Sequence, residues 1–448
     1  MAERHFFWQR HAKAEQWLLE HLDGFCKQNP CLQLLSERFL KQASCRLYDW
    51  VDHLQLLDSP TLSRQLSELG FEPRSNLEQL VYSHSGALLP DILLSDNYAG
   101  SEAVVALRVE CIGDFLQTNG FQAKIEGSPF GTYRRASLGV ENGISLSVVE
   151  RRDRRVFQPQ GLTDSEVRDY LAAVELWQCR SRNSDDEELA WEEAQRIAGQ
   201  LTQLVGTDQA AQIVCQGERN YWLTRNFVGR LQKSRQDTLG LGWANHDHHT
   251  FRSSRRNFVR LVELFSGLGF HCRERFYAGR EAGWGAQVME NPEAGLSLFL
   301  DVDLAPEEVS TDFSRQDLSE QEDLGTIGLW CALHGDSIFE AGMHHLAARC
   351  DFQRLGADIA DYGESFMAPF SDFSYLKQAF SIAERWQPDS VRVTRLVAAG
   401  RISAEQGDKF LTEGAIGSHL ENIQRNEGYK GFNKKNVSAI IRQTDPRK

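Results

Sequence analysis

The sequence predicts an α+β protein built from repeated βαβββ modules that form a curved, barrel-like mixed sheet around a cleft, with a helical insertion and helical termini. Three observations support this fold class. A pattern of strand, amphipathic helix and returning strands recurs along the chain. In two copies the helix ends at a Gly-Phe pair, in NGFQAKIE and LGFHCRER. The segments after these pairs alternate between apolar and polar residues, as strands with one buried face do.

Composition and charge narrow the class of protein. The 448 residues are 41% hydrophobic and 25% charged, which suits a globular chain with two or three domains' worth of core. The net charge of −14 argues against binding to nucleic acid or to anionic membranes. The sequence has no run of about 18 apolar residues, so we expect no membrane span. The nine cysteines are scattered and lack CxxC spacing, which predicts reduced thiols and a cytoplasmic location.

Modules one and two are expected within residues 44–160, after N-terminal helices in residues 1–43. In module one, LYDWVDHLQLLD predicts a strand, and Ser59 is positioned to cap the following helix, which has Pro60 in its first turn. In module two, AVVALRVE predicts a strand and CIGDFLQTNGF a helix that closes at Gly120. Alternating segments follow each helix and predict the returning strands.

The second half of the chain is expected to repeat this plan. A helical insertion is predicted for residues 161–240, where Thr163 opens LTDSEVRDYLAAVELW. Module three and a probable module four are expected in residues 241–387. In module four, TIGLWCALHG is interpreted as a strand and DSIFEAGMHHLAARC as a helix. Residues 388–448 are expected to form a tail of helices and loops.

Two Asp-His pairs stand on matched strands of different modules. His53 follows Asp52 on the first strand of module one, and His248 follows Asp247 on the first strand of module three. Carboxylates at last-strand positions that could join them are Glu150, Asp301 and Glu364. Two imidazoles and one carboxylate on one face of a metal ion leave positions open for substrate and O₂, which suits Fe(II).

The cluster HDHH is expected to supply one ligand rather than three. In a strand, His246 and His248 share one face, whereas Asp247 and His249 share the other. Asp247 is placed to orient a ligand histidine by accepting a hydrogen bond from the ring nitrogen that does not bind the metal. Arg252 alternates onto the face of His248, where its guanidinium could hold a substrate carboxylate.

The remaining histidine motifs are weaker candidates. The pair His344–His345 is predicted on a helix, where adjacent side chains point about 100° apart, so solvent or packing roles are expected. His334 is predicted to end a strand and ranks below His248 as a ligand. The sequence contains no GxSxG, Walker or HExxH motif that would indicate another kind of catalytic site.

The modular pattern resembles the vicinal oxygen chelate superfamily, which contains glyoxalases and extradiol dioxygenases. Within it, the chain is most similar to the iron-dependent 2-oxoadipate dioxygenase/decarboxylase family, through VDHLQL, QGLTDSEVRDYL, DHHTFR and DYGES. The resemblance implies a metal cleft with His53, His248 and Glu364 as ligands. It also implies Fe(II), or another divalent metal, as cofactor, with O₂ and a small carboxylic acid as substrates.

Two positions depart from that family. Leu57 stands four residues after His53, where the family has an arginine that holds the distal carboxylate of the substrate. RFYAGREAGWG replaces the family's Gly-Pro-Pro-Arg-Arg stretch, and in it Arg280 offers the comparable charge. Arg252 and Arg280 are therefore the arginines expected to act on the substrate, and these departures leave room for a different acid.

Three functions are compatible with these features. The first is an Fe(II) dioxygenase that decarboxylates and hydroxylates the same small 2-oxo acid. The second is a glyoxalase-like metal isomerase or an extradiol dioxygenase, in which His53 with Glu150 and His248 with Glu364 could form separate sites. The third is a metal-free binding protein of the same fold, with a pocket lined by part of the 10% aromatic residues. Metal content and oxygen consumption distinguish the three.

Overall fold

The computed structural model describes residues 8–74, 79–95, 102–183, 186–280, 282–433 and 444–448. Its helices are α1 (Ala12–Gln28), α2 (Pro30–Ala43), α3 (Pro60–Glu68), α4 (Ile112–Asn119), α5 (Asp164–Gln178), α6 (Glu187–Val205), α7 (Thr207–Leu223), α8 (Phe227–Asp237), α9 (Phe258–Gly267), α10 (Thr326–His334), α11 (Phe352–Ala360), α12 (Ser390–Ala398) and α13 (Ala404–Glu413). Its strands are β1 (Val51–Leu57), β2 (Glu72–Pro73), β3 (Leu80–Ser83), β4 (Asp91–Ser95), β5 (Ala103–Arg108), β6 (Ile125–Glu126), β7 (Tyr133–Glu141), β8 (Ile144–Arg151), β9 (His246–Arg252), β10 (His271–Tyr277), β11 (Trp284–Asn291), β12 (Leu296–Asp303), β13 (His345–Arg349), β14 (Ser371–Phe373), β15 (Leu376–Phe380), β16 (Glu384–Trp386) and β17 (Ala415–Arg425).

The strands form two mixed sheets with the same plan. The N-terminal sheet has the order β2-β3-β4-β1-β5-β8-β7-β6, and the C-terminal sheet has the order β10-β11-β12-β9-β13-β17-β15-β14, with β16 paired to β17. In the first sheet β1 is parallel to β4 and antiparallel to β5, and β5 is parallel to β8. In the second, β9 is parallel to β12 and antiparallel to β13, and β13 is parallel to β17. The predicted α+β class with mixed sheets built from repeated modules is therefore confirmed.

The register of the strands defines which residues are equivalent in the two sheets. His53 on β1 lies opposite Ala106 on β5, and His248 on β9 lies opposite Ala347 on β13. The two Asp-His pairs noted in the sequence therefore occupy the same place in their respective sheets. Residues at equal offsets from these pairs can be compared directly.

Local signals begin and end the helices as the sequence predicts. The Ser59 hydroxyl accepts a hydrogen bond from the Leu62 amide at 3.2 Å, at the start of α3. Gly120 ends α4 with a φ of 70°, a left-handed conformation that glycine adopts without a steric penalty. Thr163 and Glu166 form a reciprocal capping box at the start of α5.

The helical insertion lies between the two sheets along the chain, and its buried side chains pack into the same core as the sheets. Helices α5 to α8 lie within the predicted insertion, and their buried tryptophans Trp177, Trp191 and Trp222 belong to the same apolar cluster as residues of both sheets. Among the described residues, we find no helix with the length and apolar character that a membrane span requires.

The predicted order of strand and helix in module four is wrong. TIGLWCALHG forms α10, and the segment predicted as a helix instead contains β13. Helix α10 is buried on nearly all sides, so it has no polar face from which a helical period could be read. The Asp303 carboxylate accepts hydrogen bonds from the amides of Ile327 and Gly328, at 2.9 and 2.8 Å, and so stabilises the first turn of this helix.

The C-terminal tail also differs from the prediction. Helices α12 and α13 lie there as expected, but β17 follows them and sits inside the C-terminal sheet between β13 and β15. Residues 388–448 therefore supply one of the sheet's central strands. Residues 434–443 of the tail lie outside the described residues.

Candidate metal centre

Three side chains meet on one face of the C-terminal sheet. His248, His345 and Glu421 form a buried group whose ligand atoms all lie within 4.8 Å of one another. The Glu421 Oε2 atom lies 3.3 Å from Nε2 of His248 and 3.1 Å from Nε2 of His345. Among the residues that the structure describes, this is the group of three potential ligands close enough to hold one metal ion.

Strand pairing explains why these three side chains meet. His248 on β9 and Glu421 on β17 both lie opposite Ala347, on the two strands that flank β13. His345 is two residues before Ala347 on β13, so its side chain is on the same face of the sheet. The small side chain of Ala347 leaves the space above β13 open between the two flanking ligands.

A buried carboxylate and a buried arginine orient His248. Asp247 Oδ1 accepts a hydrogen bond from His248 Nδ1 at 3.0 Å, which leaves Nε2 facing Glu421. Arg425 donates to both oxygens of Asp247, at 2.7 and 2.9 Å. A carboxylate behind a histidine is the usual means of selecting the tautomer and the ring orientation of a metal ligand.

The other two members of the group also have polar neighbours. Thr250 Oγ1 lies 2.9 Å from His345 Nε2, and Gln378 Nε2 donates to Glu421 Oε1 at 2.8 Å. Ser371 in turn donates to Gln378 at 2.9 Å. These contacts leave Glu421 Oε2, on the side of the histidines, as the oxygen available to a metal ion.

The surroundings set the protonation states of the three side chains, and two of them are in the state that a metal ligand needs. Burial lowers the pKa of His345 to about 4, so its imidazole is neutral near pH 7. Burial acts to raise the pKa of Glu421, but the neighbouring His248 lowers it, so the carboxylate is ionised. Burial acts against the proton on His248, whereas Glu421 and Asp247 raise its pKa overall. Metal binding would therefore displace one proton, from His248.

A small pocket of about 70 Å³ opens onto the group. Aromatic rings form much of its wall: Phe276, Trp284, Phe299, Phe370, Phe380 and Phe432. Arg252 and Asp301 also line it, and both are buried. Asn433 and Thr444 lie on its border, and the residues between them are outside those described.

Arg252 and Asp301 form an unusual charged pair in this apolar setting. Their nearest atoms, Nε of Arg252 and Oδ2 of Asp301, are 4.0 Å apart, which is too long for a hydrogen bond. Nε and Nη1 of Arg252 and Oδ1 of Asp301 have no hydrogen-bond partner in the described part of the chain. Burial lowers the pKa of Arg252 to about 10 and raises the pKa of Asp301 to about 7. The pocket therefore holds unsatisfied guanidinium donors from which a carboxylate could accept a hydrogen bond.

The predicted ligands His53 and Glu364 are not brought to His248. His53 is in the N-terminal sheet, where its Nδ1 donates to Asp52 at 2.7 Å and its Nε2 lies 3.1 Å from the Gln55 amide nitrogen. With Nδ1 as donor, Nε2 accepts from Gln55, so the lone pair that would bind a metal is engaged. Glu364 lies partly exposed after the end of α11, outside the sheet.

Three further sequence candidates have other positions. Glu150 is buried and accepts hydrogen bonds from the Ile112 amide and the Arg134 guanidinium, at 2.8 and 2.9 Å. Arg280 is exposed in the turn between β10 and β11, whereas Arg252 lines the pocket. His334 ends α10 rather than a strand, and its Nε2 lies 3.0 Å from the Ile416 carbonyl oxygen.

One histidine of the HDHH cluster, His248, is a member of the group. His248 faces the pocket, His246 lines a different cavity, and His249 lies on the opposite face against Arg219, at 3.3 Å. The sequence does not predict His345 and Glu421 as ligands, because His345 is expected on a helix and Glu421 in a tail of helices and loops. The tail segment GSHLENIQR matches GISLSVVER, which contains β8, at its first Gly, its Leu and its final Arg. This match indicates a strand that contains Glu421.

Comparisons with known proteins find distant structural likeness only. No protein-family model and no curated protein matches the sequence. The solved structures that resemble it include 4-hydroxymandelate synthase from Streptomyces coelicolor, at 13% identity and a TM-score of 0.29 over 89% of this chain and 98% of that chain. Methylmalonyl-CoA epimerase from Mycobacterium tuberculosis matches at 12% identity and a TM-score of 0.23, over 41% of this chain and 88% of that chain. A glyoxalase/bleomycin resistance protein/dioxygenase superfamily member from Vibrio splendidus matches at 16% identity and a TM-score of 0.16, over 22% of this chain and 94% of that chain. With scores this low, functional inference rests on the side chains of this chain.

Proposed function

We propose that this protein is a non-haem Fe(II) dioxygenase that acts on a small 2-oxo acid. The observation that carries the proposal is the buried group of His248, His345 and Glu421 on one face of a sheet, facing a pocket. Two imidazoles and one carboxylate on a single face are the donor set of oxygen-activating iron enzymes. When bound there, Fe(II) would supply the site for chelating the acid and for activating O₂.

The residues present fit a divalent metal ion. The Nε2 atoms of both histidines face Glu421 Oε2, and the opposite sides of His248 and Glu421 are already hydrogen-bonded to Asp247 and Gln378. The group thus places three ligand atoms close together, with the outer atoms of His248 and Glu421 occupied. A bound metal ion would replace the contact between Nε2 of His345 and the Thr250 hydroxyl. Iron is the element that the proposed oxygen chemistry requires, and metal analysis decides between iron and other divalent metals.

Arg252 is proposed to hold the substrate carboxylate. Its Nε and Nη1 are buried without hydrogen-bond partners among the described residues, so a bound carboxylate would accept a hydrogen bond from a donor that is otherwise unsatisfied. The aromatic walls would exclude water from the reacting carbons. For a 2-oxo acid, the net reaction consumes one O₂, releases C1 as CO₂ and leaves a 2-hydroxy acid one carbon shorter. One oxygen atom enters the new carboxylate and the other the hydroxyl.

The test is an assay of oxygen uptake after anaerobic reconstitution with Fe(II). A panel of 2-oxo acids is offered, and O₂ consumed, CO₂ released and the shorter hydroxy acid are measured together. We expect all three in equal amounts for at least one acid, with none from a His345→Ala variant. Iron binding without oxygen uptake on any 2-oxo acid would overturn the proposed reaction. Absence of bound iron would overturn the iron assignment as well.

A glyoxalase-like isomerase is the second candidate, because of Asp301. Burial raises the pKa of this carboxyl to about 7, which suits a group that exchanges protons with substrate near neutral pH. Such an enzyme would move a proton between carbons and consume no O₂. Solvent deuterium appearing in a 2-hydroxy or thioester substrate, without oxygen uptake, would favour this alternative.

A further inference from the structure

A second and larger cavity, of about 550 Å³, lies between the two sheets and is distinct from the metal pocket. Residues of the β1 and β4 region form one wall, and residues around β9, β11 and the β11–β12 turn form the other. Phe432 lines both this cavity and the metal pocket, so its ring lies between them. The volume is in the range of small-molecule binding sites. We call this space the inter-sheet cavity.

Most basic side chains that line the inter-sheet cavity are neutralised by a carboxylate. The pairs, with their N–O distances, are Arg74–Glu293 (3.4 Å), Arg154–Asp91 (3.1 Å), Arg273–Glu290 (3.7 Å), Arg425–Asp247 (2.7 Å) and Lys430–Glu290 (2.8 Å). Arg108 and Arg349 are different, since neither forms an ion pair with a carboxylate in the described ranges. Arg108 donates to the Arg151 carbonyl oxygen at 3.1 Å, and Nε of Arg349 is buried without a partner.

These two arginines are equivalent in the two sheets. Arg108 lies two residues after Ala106, which is opposite His53, and Arg349 lies two residues after Ala347, which is opposite His248. The repeated modules therefore direct one arginine from each sheet towards the same cavity. Two matched donors that line one cavity, one from each sheet, are an arrangement that a single ligand can bridge.

The electrostatics of the cavity agree with this arrangement. Burial, together with the charges of Arg151, Arg154 and Arg349, lowers the pKa of Arg108 to about 10, against the opposing effect of Asp52. His246 also lines the cavity, and its Nδ1 is buried without a partner. A buried guanidinium without a carboxylate in an ion pair is costly, and an anion bound between Arg108 and Arg349 would lower that cost.

We propose that the inter-sheet cavity binds a small multivalent oxyanion, of phosphate or polycarboxylate chemistry, between Arg108 and Arg349. A guanidinium fork bonds such oxygens in pairs, and two forks on opposite sides can hold one tetrahedral or branched anion. The Nδ1 atom of His246 is available for a further contact. The site is independent of the proposed dioxygenase activity. Its wall includes Asp247 and Arg425, however, so an occupant would lie beside the pair that orients His248.

Calorimetric titration of the full chain with inorganic phosphate and with citrate, at constant ionic strength set by chloride, tests the proposal. We expect saturable binding of at least one of them, and the two arms distinguish phosphate from polycarboxylate. Arg108→Gln and Arg349→Gln should each weaken that binding by about tenfold or more. The matched control is Arg275→Gln, an exposed arginine on β10 paired with Asp312 outside the cavity, and it should bind as the wild type does.

Thermal unfolding and iron content, measured on the same variants, separate loss of binding from loss of folding. Thermal unfolding without ligand is expected to show Arg108→Gln at least as stable as the wild type, because the variant removes like-charge repulsion. If either Gln variant does not fold, Arg349→Lys keeps the charge but removes the fork, and should still weaken binding. Absence of oxyanion binding by the wild type would overturn the proposal, as would equal affinities in the wild type and the cavity variants. Iron content, measured in parallel, should be unchanged in all variants.

Discussion

Ser147 on β8 and Glu421 on β17 occupy the same register position in the two sheets, opposite Ala106 and Ala347 respectively. Val104 likewise takes the place of His345, since each pairs with the residue two positions beyond the Asp-His pair of its own sheet. The N-terminal sheet therefore retains the histidine of a metal site but lacks both of the other ligands. This difference predicts one metal ion per chain.

The first prediction concerns the ligand set. His345→Ala and Glu421→Gln should each reduce bound metal by at least about tenfold after anaerobic reconstitution, because each removes one of three donors. His53→Ala is the matched control from the other sheet and should retain one metal ion per chain. Metal analysis of the purified variants measures the effect. Glu364→Gln belongs in the same series, since loss of iron there would support the ligand set expected from the family resemblance.

The second prediction concerns the carboxylates that accept hydrogen bonds from His248 and His53. Asp247→Asn should weaken metal binding by roughly 10- to 100-fold, because the hydrogen bond that orients His248 is altered. Asp52→Asn is its control: Asp52 holds His53 at 2.7 Å and pairs with Arg151 at 3.1 Å, as Asp247 does with His248 and Arg425.

Both variants remove the carboxylate that pairs with a buried arginine, so both should lose stability, by roughly 3–5 kcal/mol. A competitive titration with a metal indicator, alongside thermal unfolding, separates the two effects. Equal loss of metal affinity in both variants would show that the effect comes from general destabilisation and not from orientation of His248.

The third prediction concerns substrate binding by Arg252. Arg252→Lys keeps the positive charge but removes the planar fork, so KM for the 2-oxo acid should rise by about tenfold or more while iron content stays the same. Steady-state oxygen uptake measures KM, and metal analysis provides the internal control. An unchanged KM would place the carboxylate elsewhere. Arg280→Gln then tests the second arginine expected from the sequence, and its exposed position predicts a smaller effect.

The fourth prediction concerns pH and Asp301. Its pKa is about 7 in the folded chain and about 4 in the unfolded chain, so the folded state retains a proton that the unfolded state loses between these values. The wild type should therefore lose stability relative to Asp301→Asn as pH rises from 4 to 7. Above pH 7 the variant should be the more stable by up to about 4 kcal/mol, and near pH 4 the two should be equal. Denaturant unfolding at several pH values measures this difference, and a constant difference across that range would contradict the prediction.

Much of the fold could be predicted from the sequence because its signals are local. Ser59, Gly120 and Thr163 mark helix boundaries within a few residues of themselves, and the structure has those boundaries. The same reasoning failed in module four, where α10 is apolar on nearly every side and carries no period to read. It also failed for β17, because its pairing partners β13 and β15 precede it by many residues and two helices intervene.

By itself the sequence determined the repeated βαβββ plan, the position of His248 on a first strand and the presence of Asp247 beside it, since these depend on residues near one another in the chain. The tertiary structure decided which side chains join His248. His345 and Glu421 reach it through β13 and β17, strands formed by segments far along the chain, and Gln55 occupies the Nε2 of His53 in the other sheet. A metal site on a sheet is assembled across neighbouring strands, so its members are set by register and pairing rather than by spacing along the sequence.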